Sequence, residues 1–119
     1  MSMKEVQQKL FNLKFPEYWR EEGAEPPNKI AIDNAYKCCC ELCSKYDLLV
    51  TRIACTIESG VYLVFEQENL NLIIETYNDG DIGVLVTKDK EILFNEDIHE
   101  LDFSNCIKVL REDNYGSNN

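Results

Sequence analysis

Residues 49–95 read LVTRIACTIESGVYLVFEQENLNLIIETYNDGDIGVLVTKDKEILFN, and this stretch decides the fold. β-Branched and aromatic residues alternate with polar ones in five short runs, which is the pattern of half-buried strands. Small or polar residues separate the runs, for example Ser59-Gly60 and Asn78-Asp79-Gly80-Asp81, and such residues tolerate the positive φ that tight hairpins need. The stretch therefore predicts an α+β protein built on an antiparallel β-meander of four or five strands, packed against helices on at least one face.

The two alternation sets of this meander differ in composition. One set is predicted to form the buried face, and it contains Leu49, Ile53, Cys55, Ile57, Val61, Leu63, Phe65, Leu70, Leu72, Ile74, Ile82, Val84, Val86, Ile92 and Phe94. The other set is half polar but carries six apolar residues, which form the candidate interaction face: Tyr62, Val64, Ile73, Tyr77, Leu85 and Leu93. Contiguous exposed apolar surface beyond a few hundred Å² usually marks an interaction site. The alternative is that a helix covers these residues and places the sheet between two helical layers.

A short helix is predicted ahead of the meander, over residues 2–13. Val6, Leu10 and Leu13 fall on one face of it, and Pro16 ends it. Residues 15–27 then contain three prolines and a glycine, which disfavour both helix and central strand. This connection is predicted to be irregular.

Two further helices are predicted, one before the meander in the chain and one after it. Asn28 is a favourable N-cap for a helix that runs to about Tyr46. Its apolar stripe should face the sheet and consists of Ala31, Ala35, Cys38, Cys39, Leu42, Cys43 and Tyr46. The last helix is predicted to begin near Ser104.

The length of 119 residues fits one domain with its own hydrophobic core. Residues 1–112 are predicted to form this domain and residues 113–119 a flexible tail. The whole formal net charge of −10 lies in residues 47–119, which hold five Lys or Arg and fifteen Asp or Glu, whereas residues 1–46 hold seven of each. This charge argues against direct nucleic-acid binding and favours a basic partner, with solubility alone as the plain alternative.

The chain begins without an apolar secretory segment, and no run of it approaches the roughly 18 apolar residues of a membrane span. We therefore expect a cytoplasmic protein without membrane contact. Its six cysteines are expected to be reduced thiols rather than a disulfide framework.

Four cysteines cluster at positions 38–43, where Cys40 and Cys43 form a C-x-x-C pair. They lie inside the predicted helix and not at its N-terminus, where the helix dipole would lower a thiol pKa. A structural zinc site would need a second pair of ligands, which the sequence does not offer. Cys38, Cys39 and Cys43 are therefore predicted to pack as small hydrophobes, with Cys40 as the most exposed thiol. No metal and no cofactor is predicted.

Two other sets of side chains have the residue types of catalytic sites. Histidine is a common general base, and His99 has the acidic neighbours Glu96, Asp97, Glu100 and Asp102. Three glutamates near one hairpin have the composition of a paired-carboxylate hydrolytic site, namely Glu66, Glu68 and Glu75. Solvated surface positions are the plainer interpretation of both sets, so no catalytic residue is predicted.

Further features occur in a fixed order along residues 17–87. They are Trp19, Gly23-Ala24-Glu25-Pro26, a helix with the small residues Ala31 and Ala35, Ser59-Gly60-Val61, the aromatic Phe65, Ile74-Glu75 and Asp79-Gly80. In these features the chain resembles a group of short, largely uncharacterised bacterial proteins, many of them cyanobacterial, and it departs from them in its cysteine-rich helix. The resemblance implies a compact α+β unit and no established activity.

The unequal sheet faces and the one-sided charge together predict a non-enzymatic interaction protein. By analogy with other small acidic bacterial proteins, its role would be regulatory or toxin-neutralising. Its predicted partner is another protein or a second copy of the chain in a homo-oligomer. The alternative is a small enzyme or ligand-binding domain that uses acidic residues near a hairpin.

Overall fold

The computed structural model describes the backbone of residues 1–116 and the side chains of residues 1–112. The elements along the chain are α1 (Met3–Phe11), α2 (Glu17–Glu21), α3 (Lys29–Tyr46), β1 (Arg52–Thr56), β2 (Gly60–Gln67), β3 (Leu70–Tyr77), β4 (Ile82–Lys88), β5 (Glu91–Ile98) and α4 (Ser104–Gly116). The strands form one antiparallel sheet in the order β1-β2-β3-β4-β5. The predicted α+β meander is therefore confirmed, with five strands.

Local capping explains where α1 and α3 begin. The Ser2 hydroxyl accepts a hydrogen bond from the Glu5 amide at 3.2 Å, and the Glu5 carboxylate accepts one from the Ser2 amide, which is a capping box. The Asn28 side chain accepts from the Ala31 amide at 3.0 Å, as expected of the predicted N-cap. The predicted helix from Asn28 to Tyr46 is thus confirmed, and it ends at Asp47 in the left-handed conformation.

The prediction of an irregular connection over residues 15–27 is partly wrong, because the segment contains α2. Pro16 is the N-cap of this helix, where its fixed φ is favourable and its missing N–H costs no hydrogen bond. Gly23 ends the helical turn with a φ of 93°, and its amide donates to the Arg20 carbonyl. The proline and the glycine therefore bound a short helix instead of preventing one.

The helices α1, α3 and α4 pack on one side of the sheet. Their buried side chains belong to the same cluster as the buried residues of β2, β3 and β4, which include Leu63, Phe65 and Ile74. Thr76 fixes the contact between α3 and β3, since its buried hydroxyl donates to the Ala31 carbonyl at 2.8 Å. We call this side of the sheet the core face, and its members are Ile53, Cys55, Val61, Leu63, Phe65, Leu70, Leu72, Ile74, Thr76, Ile82, Val84, Val86 and Phe94.

Three residues that were predicted to be buried are exposed. Leu49 is 49% exposed and Ile57 is 43% exposed, because they lie just outside β1, where the strand alternation no longer applies. Ile92 is 60% exposed for another reason. The register of β4 and β5 shifts at a β-bulge between Val86 and Thr87, so that Thr87 pairs with Ile92 and Val86 with Phe94.

The start of α3 is tied to the turns at one end of the sheet. The Asn78 side chain accepts from the Asn28 amide at 2.8 Å and donates to the Pro26 carbonyl at 3.0 Å. Gly60 lies beside this turn, and a Cβ there would overlap the Thr76 carbonyl oxygen. The backbones of β2 and β3 therefore approach each other at a point that only glycine allows.

The last helix begins at Ser104, as predicted, and buries Cys106, Ile107 and Leu110 against the sheet. It continues to Gly116 and so includes the first four residues of segment 113–119, which was predicted to be a flexible tail. Residues 117–119 lie outside the described part of the chain. None of the helices within the described residues is long and apolar enough to cross a membrane.

Candidate interaction face

The side of the sheet opposite α1, α3 and α4 is not covered by any helix of residues 1–116. The remaining helix, α2, lies beside α1 at the β1 edge, where Trp19 lines a pocket with residues of both elements. We call this side the open face, and from the strand register its members are Arg52, Ala54, Thr56, Tyr62, Val64, Glu66, Asn71, Ile73, Glu75, Tyr77, Gly83, Leu85, Thr87, Ile92, Asn95 and Asp97. Of the two predicted arrangements, the structure has the uncovered one.

An apolar row crosses the middle of the open face. Val64 on β2 pairs with Ile73 on β3, and Ile73 pairs with Leu85 on β4, so three apolar side chains lie side by side. Val64 is only 8% exposed, even though no helix of the described residues lies over it. The row ends in polar residues, with Arg52 on β1 and Asn95 on β5.

An acidic row runs parallel to the apolar one. Tyr62, Glu75, Gly83 and Asp97 are successive partners across β2 to β5. The ring of Tyr77 lies against Gly83, where a Cβ would be 3.7 Å from its Cε2 atom. The row presents two carboxylates, Glu75 and Asp97, one on each side of Gly83.

Tyr77 also holds one of these carboxylates in place. Its hydroxyl donates to the Glu75 carboxylate at 2.7 Å. Burial, followed by the hydrogen bond to Glu75 and the negative charge of Glu75, raises the pKa of Tyr77 well above its ordinary value. The phenol therefore stays protonated at neutral pH and remains a donor to Glu75.

Five of the six predicted interaction residues lie on the open face: Tyr62, Val64, Ile73, Tyr77 and Leu85. The sixth, Leu93, was wrongly placed, since it is the extra residue of the β5 bulge and packs against the core. Ile92 takes its position on the open face. Alternation alone misses this exchange, and the only sequence signal is the unbroken apolar run Ile92-Leu93-Phe94 beside a turn.

The three glutamates considered for a hydrolytic site do not converge. Glu66 pairs with Asn71, and Glu75 follows Asn71 by four residues on β3, so Glu75 lies about 13 Å along the strand from the Glu66–Asn71 pair at the usual strand rise. Glu68 lies in the β2–β3 turn with a φ of 57°. Carboxylates of a glycosidase pair lie closer together, at about 5–9.5 Å.

His99 follows β5 and is exposed. Its acidic neighbours line the same depression of about 360 Å³, beside the start of α4. Within the described residues, its imidazole makes no hydrogen bond or ion pair that would orient it as a general base.

The cysteines of α3 divide between the core and the surface. Cys38 and Cys39 are fully buried, as predicted, whereas Cys43 is half-buried like Cys40. Burial raises the pKa of Cys39 to about 12 and that of Cys106 to about 12, so both thiols stay protonated and unreactive. Among the described residues, no group of three or more His, Cys, Asp or Glu side chains is arranged to hold a metal ion.

Comparison of the chain with protein-family models, with curated proteins and with solved structures finds no match. The resemblance of residues 17–87 to short bacterial proteins therefore stays a prediction.

Proposed function

We propose that this chain is a non-enzymatic protein-interaction module, and that its open face binds a basic protein partner. The observation that carries the proposal is the apolar row Val64–Ile73–Leu85, which no helix of the described residues covers and which carboxylates border. A row of this kind supplies the apolar centre of an interface, and charged residues belong at its rim. The arrangement of the open face follows that order.

The apolar centre is built on rigid structure. Ile73 lies on the central strand of the sheet, with hydrogen-bonded strands on both sides. Side chains fixed in this way lose little conformational entropy on binding, which raises the share of burial energy that appears as affinity. Ile92, at 60% exposure, extends the apolar surface toward β5.

The charges of the open face favour a basic partner over a second copy of the chain. Glu66, Glu75 and Asp97 lie on this face, against one cationic residue, Arg52. Two copies of a chain with a net charge of −10 repel each other, and face-to-face packing would bring their carboxylates together. A partner with Lys or Arg around an apolar patch would cover the apolar row and pair with the carboxylates of the open face.

The test compares two variants that each replace one apolar side chain, the half-buried Leu85 or the exposed Phe11. Leu85→Ser lies in the apolar row, and Phe11→Ser, at 89% exposure on α1, is the matched control away from the open face. Proteins captured from the native host on the unmodified chain are identified, purified and titrated against each variant by calorimetry. We expect a basic protein whose Kd rises about tenfold or more for Leu85→Ser and stays unchanged for Phe11→Ser, with affinity that falls as salt increases.

Two results would overturn the proposal. Equal binding by both variants would remove the open face from the interaction. Concentration-dependent dimerisation in light scattering, abolished by Leu85→Ser, would assign the face to a second copy of the chain. Circular dichroism of both variants establishes that each retains its fold.

A further inference from the structure

A second candidate site lies at the β1 edge of the sheet, away from the apolar row Val64–Ile73–Leu85. It is a cavity of about 560 Å³ between α1, the start of α2 and β1. Its volume falls in the range of about 300–1,000 Å³ that is typical of small-ligand sites. β1 is an edge strand, so no further strand fills the space beside it.

The floor of this cavity is apolar and partly aromatic. Leu13, Trp19 and Ile53 line it, and all three are half-buried. Trp19 is held by an edge-on contact with Phe15, whose ring centroid is 5.7 Å away. The aromatic wall is therefore fixed before any ligand arrives, which lowers the entropy that binding costs.

The rim of the cavity is positively charged. Lys9 and Lys14 line it, and neither ammonium group forms an ion pair within the described residues. Glu5 is the one acidic residue of the lining. The chain has a net charge of −10, so two lysines without an ion pair beside an apolar cavity give this part of the surface a charge opposite to that of the whole chain.

The remaining reactive group of the lining does not suggest covalent chemistry. Cys55 is half-buried, and burial raises the pKa of its thiol above the ordinary value. A protonated thiol is a poor nucleophile. Cys55 therefore contributes surface to the cavity, and its accessibility to reagents can report on occupancy.

We propose that this cavity binds a small amphipathic carboxylate, whose apolar body lies against Leu13, Trp19 and Ile53 and whose carboxylate reaches Lys9 or Lys14. Two probes are used, decanoate with an aliphatic chain and hydrocinnamate with an aromatic ring. They show whether the cavity prefers an aliphatic or an aromatic apolar body. Ala54 is the one residue of the lining that also belongs to the open face, so variants at Lys9 or Lys14 and variants in the apolar row test the two proposals independently.

Trp19 makes the test direct, because it is the chain's single tryptophan and lies in the cavity wall. The unmodified protein is titrated with decanoate and with hydrocinnamate, and with decanol and decyltrimethylammonium as neutral and cationic counterparts, all below their micellar concentrations. We expect saturable one-to-one binding of at least one carboxylate, seen in Trp19 fluorescence and in calorimetry. Decanol and decyltrimethylammonium should bind more weakly.

Charge reversal then tests the rim. Lys9→Glu and Lys14→Glu are compared with Lys90→Glu. Lys90 lies in the β4–β5 turn, near the edge of the sheet opposite β1. We expect at least one rim variant to lose about tenfold in carboxylate affinity, which is the usual scale of one charge-assisted hydrogen bond, and Lys90→Glu to bind as the unmodified chain does. Binding of the open-face partner should not change in the rim variants.

Alkylation gives a readout that needs no variant. Alkylation of Cys55 is slow because its pKa is raised, and the bound carboxylate should slow it further, while the half-buried Cys40 and Cys43 on α3 react as before and serve as internal references. Equal affinity for decanoate and decyltrimethylammonium, unchanged binding in both rim variants, or unprotected Cys55 at saturation would each overturn the proposal.

Discussion

The core face and the open face are made by the same five strands, but different physical constraints act on their side chains. On the core face, Leu63, Ile74 and Val84 are buried under three helices, so each side chain must fit its neighbours closely. On the open face, no helix of the described residues lies over Ile73 and Leu85, which pair with each other across β3 and β4. Apolar character on the covered side therefore reflects folding, whereas on the uncovered side it leaves surface for a partner.

Adjacent isoleucines on β3 give the largest expected contrast. Ile74 is fully buried on the core face, and Ile73 is its neighbour on the open face. We expect Ile74→Ala to lower the free energy of unfolding by about 2–5 kcal/mol, because it leaves a cavity in the packed core. Ile73→Ala should cost about 1 kcal/mol or less, since solvent or neighbouring side chains fill the space.

Urea denaturation of both variants measures this difference. Equal losses would mean that the open face is covered in solution, which would redirect the proposed function toward self-association.

The turn that contains Asn78 gives the next largest expected effect, because it holds the start of α3 on the core face. Asn78→Ala removes a hydrogen bond from the Asn28 amide and another to the Pro26 carbonyl. We expect a loss of about 2 kcal/mol, because two hydrogen bonds that hold the start of α3 are lost and only the bond from the Asn28 side chain to the carbonyl of residue 78 remains. Asn69→Ala in the β2–β3 turn is the control, since its 3.5 Å contact with Asp89 is long and exposed. Thermal unfolding of both variants decides whether this attachment of α3 stabilises the domain.

Two threonines test the same comparison at a smaller scale. Thr76 is buried on the core face and donates to the Ala31 carbonyl, while Thr87 lies half-buried on the open face. We expect Thr76→Val to cost about 1 kcal/mol, the net contribution of one buried hydrogen bond. Thr87→Val should change the free energy of unfolding by less than about 0.5 kcal/mol. A reversed order in urea denaturation would show that the hydroxyl of Thr76 does not contribute to the α3–β3 contact.

The smallest effect expected is a shift in titration on the open face. The pKa of Tyr77 is raised by burial and by Glu75, so the folded state favours the neutral phenol. This contribution to stability is present below the ordinary tyrosine pKa of 10.0 and is lost as the pH rises through the higher folded value. Glu75→Gln removes the repelling carboxylate and should lower the pKa of Tyr77.

Ultraviolet absorbance of the phenolate follows this titration, and Tyr77→Phe identifies which transition belongs to Tyr77. A titration that is the same with Glu75 and with Gln at this position would mean that the hydrogen bond seen at 2.7 Å does not persist in solution.

Much of the fold follows from local pattern. The Asn28 cap, the helical stripe through Cys38 and Cys39 and the alternation of β2, β3 and β4 each depend on residues close together in the chain, and each was predicted correctly. The errors lie where a contact from elsewhere decides. Ile92 and Leu93 exchange faces because β5 bulges against β4, and the α2 helix forms between a proline and a glycine that composition alone reads as breakers.

The sequence by itself determined an antiparallel meander of four or five strands, the unequal composition of its two faces and the acidity of residues 47–119, because periodicity and charge are properties of the chain. Only the tertiary structure decided that α1, α3 and α4 all pack on one side, which leaves the Val64–Ile73–Leu85 row without a helix among the described residues. It alone also brought Lys9 and Lys14 to the same cavity as Ile53, some forty residues along the chain. Both outcomes depend on how elements distant in sequence pack together, which no local pattern encodes.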